Sequence, residues 1–386
     1  MSTELTSDRR RRKVCFLFIA QAHQVLHSLP IALALARGWP ELDIEIAATS
    51  SAQLRYVADL TGRLGAPPLK LRLLGPAWLR SLHRRGASIP PKAPMLVANA
   101  AALAAYDAIV TPERTTSLLR SMGLTRQTLV YTQHGAGDRG GVFEPRLGRF
   151  DLVMCSGPKL YRRTVDNHLA KPENCAVVGY PKFDIVEALP PSETPPFSAV
   201  RPIVLYNPHF KHGIGSWPDQ GLKVLEAFAG DSRFNLIFAP HIRLFDGDPR
   251  ARAALAPFAR APNIHVVLSG EAMIDMTLTR VADIYLGDVS SQVYEFLRTP
   301  RPCVFINAHG VDWEGDEDYR FWRFGPVVAE ASQVLDAVER ARADHAGLYL
   351  ADQLAGFAET FDLRARASSD RAAEAIVAAM DRRAAP

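Results

Sequence analysis

With 386 residues, 48% of them hydrophobic and 22% charged, the chain is long enough for two domains and has the balance of a soluble globular protein. No apolar run of about 18 residues occurs, so no membrane-spanning helix is expected. The net charge of +4 is small and comes with no nucleic-acid recognition motif, so no nucleic-acid partner is expected.

Arg9 to Arg12 and Lys13 precede the apolar run Val14–Ala20, an order that a signal peptide shares. Gln21, His23, Gln24 and His27 follow at once, so the run reads as a first buried strand and a cytoplasmic location is expected. Ser28–Arg37 predicts a helix, and Leu42–Ala48 alternates as a second strand. Ala108–Val110, Leu129–Tyr131, Leu152–Cys155 and Ala176–Val178 continue the series. Short apolar runs separated by helical patterns imply βα units and parallel sheets. Leu189–Pro202 holds five prolines in fourteen residues, which forbids a regular element there.

The rhythm then restarts. Ile203–Tyr206, Phe234–Phe238, Ile264–Leu268, Ile284–Leu286 and Cys303–Ile306 read as strands. Gly221–Phe228, Ala272–Arg280, Ser291–Arg298 and Ser369–Met380 read as helices. The expected organisation is α/β: a first Rossmann-like domain over 13–188, a linker over 189–202 and a second such domain over 203–365. A C-terminal helix over 366–386 would follow. Cys15, Cys155 and Cys303 fall in the apolar runs, and none of the four cysteines, Cys175 included, has metal-ligand spacing. They read as buried thiols in a reducing compartment, with no metal site.

From Leu60 to Tyr106 there is no Asp or Glu, while Arg63, Lys70, Arg72, Arg80, Arg84, Arg85 and Lys92 are present. Its centre interleaves these cations with leucines and Trp78. Apolar groups that insert and cations that meet lipid phosphates suit an anionic membrane surface, at about 1 kcal/mol per cation. A solvated helix face with an ordinary buried side is the alternative.

Four polar constellations follow strands, where open parallel sheets bind their ligands. In Asp288-Val289-Ser290-Ser291 a strand end meets a helix start, whose spare N–H groups favour an anion. Glu295, seven residues after Asp288, suits ribose hydroxyls; a plain helix cap explains the same residues structurally. His134 is the candidate base, because imidazole titrates near neutrality and Gly135 lets a substrate approach. Glycines 135, 137, 140 and 141 otherwise form only a flexible loop. His209, Lys211, His241 and Arg243 could hold a pyrophosphate and offset charge on a leaving group. A structural role is the alternative for each histidine taken alone.

Gln133-His134-Gly135, Val178-Gly179-Tyr180-Pro181-Lys182-Phe183-Asp184 and Asp288–Ser291 resemble the CDP-glycerol glycerophosphotransferase family, the teichoic-acid polymerase-like enzymes. The resemblance covers roughly Leu129 to Phe324. It implies a GT-B fold, two Rossmann-like domains around a nucleotide cleft. His134 would be the general base, and His241 a phosphate ligand or second catalytic histidine. Ser290 and Ser291 would hold the donor's diphosphate and Glu295 its ribose. In GT-B enzymes the first loop faces the acceptor, which assigns His23 and His27 there. No tightly bound cofactor is implied; the donor would be CDP-glycerol or a relative, and the acceptor a membrane-associated lipid or glycan.

The chain departs from the family at Pro208-His209-Phe210-Lys211, at Ala239-Pro240-His241-Ile242 and at Glu295, where the family has aspartate. Sugar-nucleotide 2-epimerases and many GT-B glycosyltransferases carry a similar turn with Ser-Gly-Gly, where this chain has Val289-Ser290-Ser291. A nucleotide-sugar glycosyltransferase is therefore the second reading, and a non-catalytic nucleotide- or lipid-binding protein the third.

Overall fold

The computed structural model describes residues 10–82, 90–138, 144–245 and 248–384. Arg9, Arg84, Arg85, Gly140 and Gly141, which carry expectations above, lie outside those ranges. Two all-parallel sheets organise the chain. The first joins seven strands, β1 (Lys13–Phe18), β2 (Asp43–Ala48), β3 (Lys70–Leu73), β4 (Ala108–Thr111), β5 (Thr128–Tyr131), β6 (Leu152–Cys155) and β7 (Cys175–Val177). Their order is β3-β2-β1-β4-β5-β6-β7. The second joins β8 (Ile203–Asn207), β9 (Asn235–Phe238), β10 (Ile264–Val266), β11 (Ile284–Gly287), β12 (Cys303–Ile306) and β13 (Val327–Val328), in the order β10-β9-β8-β11-β12-β13. This is the expected pair of Rossmann-like domains. No regular element forms between Leu189 and Pro202.

The strands are short and apolar because both faces are covered by helices. Val14 to Phe18, β4, β5 and β12 are buried throughout. Cys15, Cys155 and Cys303 sit in these strands as buried free thiols, while Cys175 opens β7 and is half-buried. Strand order reverses between β1 and β4 in the first sheet and between β8 and β11 in the second. Such reversals open a crevice at the carboxyl ends of the strands.

Two local expectations are corrected. The basic stretch around Lys70 forms β3, an exposed edge strand in register with β2 (Glu45↔Lys70 to Ala48↔Leu73), not a helix face. Lys70 pairs with Asp43, and lysine on an edge also discourages strand addition. The single helix expected over Ala272–Arg280 is broken: a 3-10 turn at Glu271–Met273 precedes a short helix at Thr277–Val281. Met276 is left-handed (φ 64°), and Asp275 Oδ1 caps the restart by accepting from the Thr277 N–H at 2.8 Å.

The expected C-terminal helix forms over Ser368–Ala384, and it crosses back to pack on the helix Val25–Gly38 of the first domain. It buries Ala372, Ala373, Ile376, Ala379 and Met380, one helical stripe. Arg12–Asp381 and Arg37–Asp370 ion pairs flank this seam. Just before it, the Ser156 hydroxyl donates to the Thr360 carbonyl at 2.7 Å. A Cβ on Gly157 would lie 2.5 Å from that carbonyl oxygen, so only glycine admits the crossing chain.

Candidate active site

The loops after the strands converge on one cleft of about 460 Å³ between the two domains. The first domain supplies His23 and His27 after β1, Glu113 after β4, His134 and Gly135 after β5, and Lys182 after β7. The second supplies His209 after β8, His241 and Arg243 after β9, and Ser290, Ser291 and Glu295 after β11. Ten of the twelve residues expected at the site therefore line one space; Lys211 and Asp288 do not.

His134 is oriented by the main chain. Its Nδ1 lies 2.5 Å from the Pro112 carbonyl oxygen. A carbonyl only accepts, so Nδ1 carries the proton and Nε2 keeps its lone pair. Burial lowers the His134 pKa, against the opposing pull of Glu113 and the Pro112 carbonyl. The neutral, base-competent ring is thus favoured at neutral pH. Gln133, immediately before it, holds a left-handed backbone (φ 62°), which costs a non-glycine residue about 1–2 kcal/mol. Such strain persists only where the surroundings enforce it, and it clusters at functional sites.

Behind His134, Glu113 is ion-paired to Lys92 at 2.7 Å and accepts from the Thr115 hydroxyl at 2.9 Å. Burial alone would raise the Glu113 carboxyl, but Lys92 overrides it and holds the pKa at about 2. His23 lies beside His134, with ring centroids 5.9 Å apart. Its Nδ1 is buried and finds no hydrogen-bond partner among the described residues. Burial lowers the pKa of both His23 and His27, and neighbouring cationic groups, Lys182 among them, add to it.

The histidines of the opposite wall have the reverse tautomer. His209 Nδ1 accepts from the Lys211 N–H at 3.1 Å, and His241 Nδ1 accepts from the Arg243 N–H at 3.2 Å. Each then carries its proton on Nε2, which makes that atom a donor. Phe210 stacks between them and the guanidinium: its ring centroid is 4.4 Å from that of His241 and 4.4 Å from the Arg243 carbon. This wall therefore carries imidazole N–H donors, whereas His134 keeps a free-pair nitrogen.

Asp288 occupies a different place from the one expected. It is fully buried, and its carboxylate accepts from the N–H groups of His209 (2.9 Å), Ser216 (2.6 Å) and Val289 (2.5 Å) and from the Ser216 hydroxyl (2.9 Å). Burial pushes its pKa up while those donors pull it down. Asp288 therefore ties the β8 and β11 loops together beneath the cleft. Lys211 is exposed and only its N–H serves the site, through His209.

The helix after the turn is short, Gln292–Phe296, and the first domain closes on it. Ser290 Oγ accepts from the Gln292 N–H at 3.3 Å, a weak cap. Gly135 and Gly137 abut Ser291: a Cβ on Gly137 would stand 2.9 Å from Ser291 Cβ. Glu295 is held by Lys182, whose Nζ is 2.8 Å from both carboxylate oxygens, and by the Tyr180 hydroxyl at 2.7 Å. Tyr294, its neighbour, donates to Asp138, which also pairs with buried Lys159.

Sequence reasoning missed Glu113, Lys92, Asp138 and Lys159 as site components. Glu113 follows a strand, so the rule that found His134 also applied to it. Lys92 and Lys159 lie in helices and carry no comparable mark. Among the described residues, no group of three or more His, Cys, Asp or Glu could hold a metal ion.

No protein-family model and no curated protein sequence matches this chain. Solved structures do. A proposed UDP-N-acetylglucosamine 2-epimerase from Listeria monocytogenes superposes with a TM-score of 0.68 at 14% identity, covering 97% of this chain and 98% of that one. The UDP-GlcNAc 2-epimerase from Neisseria meningitidis bound to UDP-GlcNAc gives 0.56 at 12% identity, over 96% and 100%. The wall teichoic acid polymerase TagF, soaked with CDPG, gives 0.61 at 13% identity, over 97% and 90%. The chain has the two-domain GT-B fold that these structures share.

Proposed function

We propose that the protein is a transferase that moves a polyol phosphate, glycerol phosphate, from a CDP-activated donor to a hydroxyl of a membrane-associated lipid or glycan. The opposite tautomers of the facing histidines carry this reading. A base on one wall and N–H donors on the other suit attack of a hydroxyl on phosphorus. His134 Nε2 takes the hydroxyl proton as the acceptor oxygen bonds to the phosphorus distal to the nucleoside. The bridging P–O bond breaks, and CMP leaves with that oxygen. His209, His241 and Arg243 stabilise the charge that develops on it, and Ser290 and Ser291 hold the diphosphate. The likeness in fold to a polymerase soaked with CDPG supports the donor class.

The acceptor side reads as a membrane. Leu71, Leu73, Trp78 (66% exposed), Leu82 and Val97 (63%) are exposed in the stretch that lacks acidic residues. Among the described residues no helix is long and apolar enough to cross a bilayer, so contact would be peripheral. The second reading is a nucleotide-sugar enzyme, favoured by the likeness in fold to an epimerase bound to UDP-GlcNAc. Incubation with CDP-glycerol and vesicles bearing glycolipid acceptors, with CMP measured, tests the first reading. CMP release that needs the acceptor is expected. Turnover of UDP-GlcNAc with none of CDP-glycerol would overturn it.

A further inference from the structure

Glu295 cannot accept both hydroxyls of a diol as it stands. A carboxylate offers about four lone-pair positions, and Lys182 and Tyr180 already fill three of them. The pair is buried, with Lys182 5% and Glu295 8% exposed, and it joins the two domains. Both residues nevertheless line the cleft, so a ligand there meets them directly. One position is left, so a diol that bonds to Glu295 through both hydroxyls must displace one of the present donors. Tyr180 is packed among Phe183, Phe361 and His27, with centroids 4.8 to 5.3 Å away, and has little room to move. The lysine, on a flexible stem, is the donor that can leave.

A buried ammonium released from its carboxylate needs another anion at once. The other carboxylates that line the cleft are already paired, Glu113 with Lys92 and Asp138 with Lys159. Burial lowers the pKa of His23 and His27, with Lys182 adding to it, so neither ring offers the ammonium an anion. We propose that Lys182 is a substrate-binding residue, stored on Glu295 in the ligand-free protein. It passes to the phosphate of the substrate when the hydroxyls of that same substrate take Glu295. The ligand must then carry a vicinal diol and a phosphate together, as a ribonucleotide donor does. A phosphate alone or a diol alone cannot drive the exchange. This rests on the nucleotide-donor reading above but not on which base or transferred group the donor carries.

Titration calorimetry of the whole protein with CDP-glycerol, UDP-GlcNAc and inorganic pyrophosphate tests it. Lys182→Met should weaken the preferred donor at least tenfold, and Lys182→Arg should restore most of that loss. Glu295→Gln should weaken the donor yet bind pyrophosphate several-fold more tightly than the wild type, because the ammonium no longer has a competing carboxylate. The gain must depend on the lysine: in Lys182→Met/Glu295→Gln it should disappear, whereas mere removal of a negative charge would leave it in place. Wild-type donor affinity in Lys182→Met, or unchanged pyrophosphate affinity in Glu295→Gln, would overturn the proposal. If Lys182→Met does not fold, the Glu295→Gln comparison and the Lys182→Arg titration still decide it. Preference for UDP-GlcNAc with the same variant pattern would overturn the CDP-glycerol reading and leave this inference standing.

Discussion

The two walls of the cleft use the same residue for opposite purposes. On the first-domain wall, His134 gives its Nδ1 proton to a carbonyl and keeps a lone pair at Nε2. On the second-domain wall, His209 and His241 accept N–H groups at Nδ1 and so carry their protons at Nε2. The main chain beside each ring, not the ring itself, decides base or donor. Placement after a strand finds a histidine at a site without telling which role it has.

The largest effect should come from His134, the proposed base. His134→Ala should cut CMP release by roughly 10²–10⁴, the range for a positioned general base, with the melting temperature preserved. His241→Ala should cut it too, but by loss of donor affinity; equal kcat losses with unchanged KM in both variants would break the contrast between the walls. Next comes Asp288→Ala, which strands the buried N–H groups of His209, Ser216 and Val289. It should destabilise by about 1–3 kcal/mol per group left unsatisfied, read by denaturant unfolding. A loss of donor affinity without loss of stability would put Asp288 back on the ligand.

The pH dependence is smaller and sharpens the same contrast. His23, His27 and His134 are buried with lowered pKa values, so the unfolded chain binds protons that the folded one refuses. Stability should therefore be full above about pH 6.5 and fall as pH drops below it. Each group contributes up to about 1.4 kcal/mol per pH unit. Unfolding midpoints between pH 7.5 and 5 measure this, and a flat profile would mean that the rings are protonated when folded. The smallest effect belongs to Lys211→Ala. Its exposed side chain lies outside the cleft, so stability should change by less than about 0.5 kcal/mol and donor affinity should hold.

Much of the architecture was legible because burial on both faces leaves a plain mark. β6 and β12 match the sequence reading residue for residue at Leu152–Cys155 and Cys303–Ile306, and β4, β5 and β11 match to within a residue. β3 was not, because an edge strand with four exposed residues carries no apolar run. The helix over Ala272–Arg280 looked continuous, because nothing in Met276 announces a left-handed backbone. Ser290, Ser291 and Glu295 were found by their distance from a strand end, yet Glu295's partners come from more than a hundred residues away.

The sequence by itself determined the α/β rhythm, the Pro-rich break between two domains and the positions that would face a crevice. These follow from local periodicity and from the rule that parallel strands present their carboxyl ends to ligands. Only the tertiary structure decided what each polar atom does there. It turned Asp288 inward, left Lys211 outside, laid the C-terminal helix on the first domain and stored Lys182 on Glu295. Each of these is a pairing between residues far apart in the chain. A buried charge or N–H takes the partner that folding brings to it, and no local pattern records that choice.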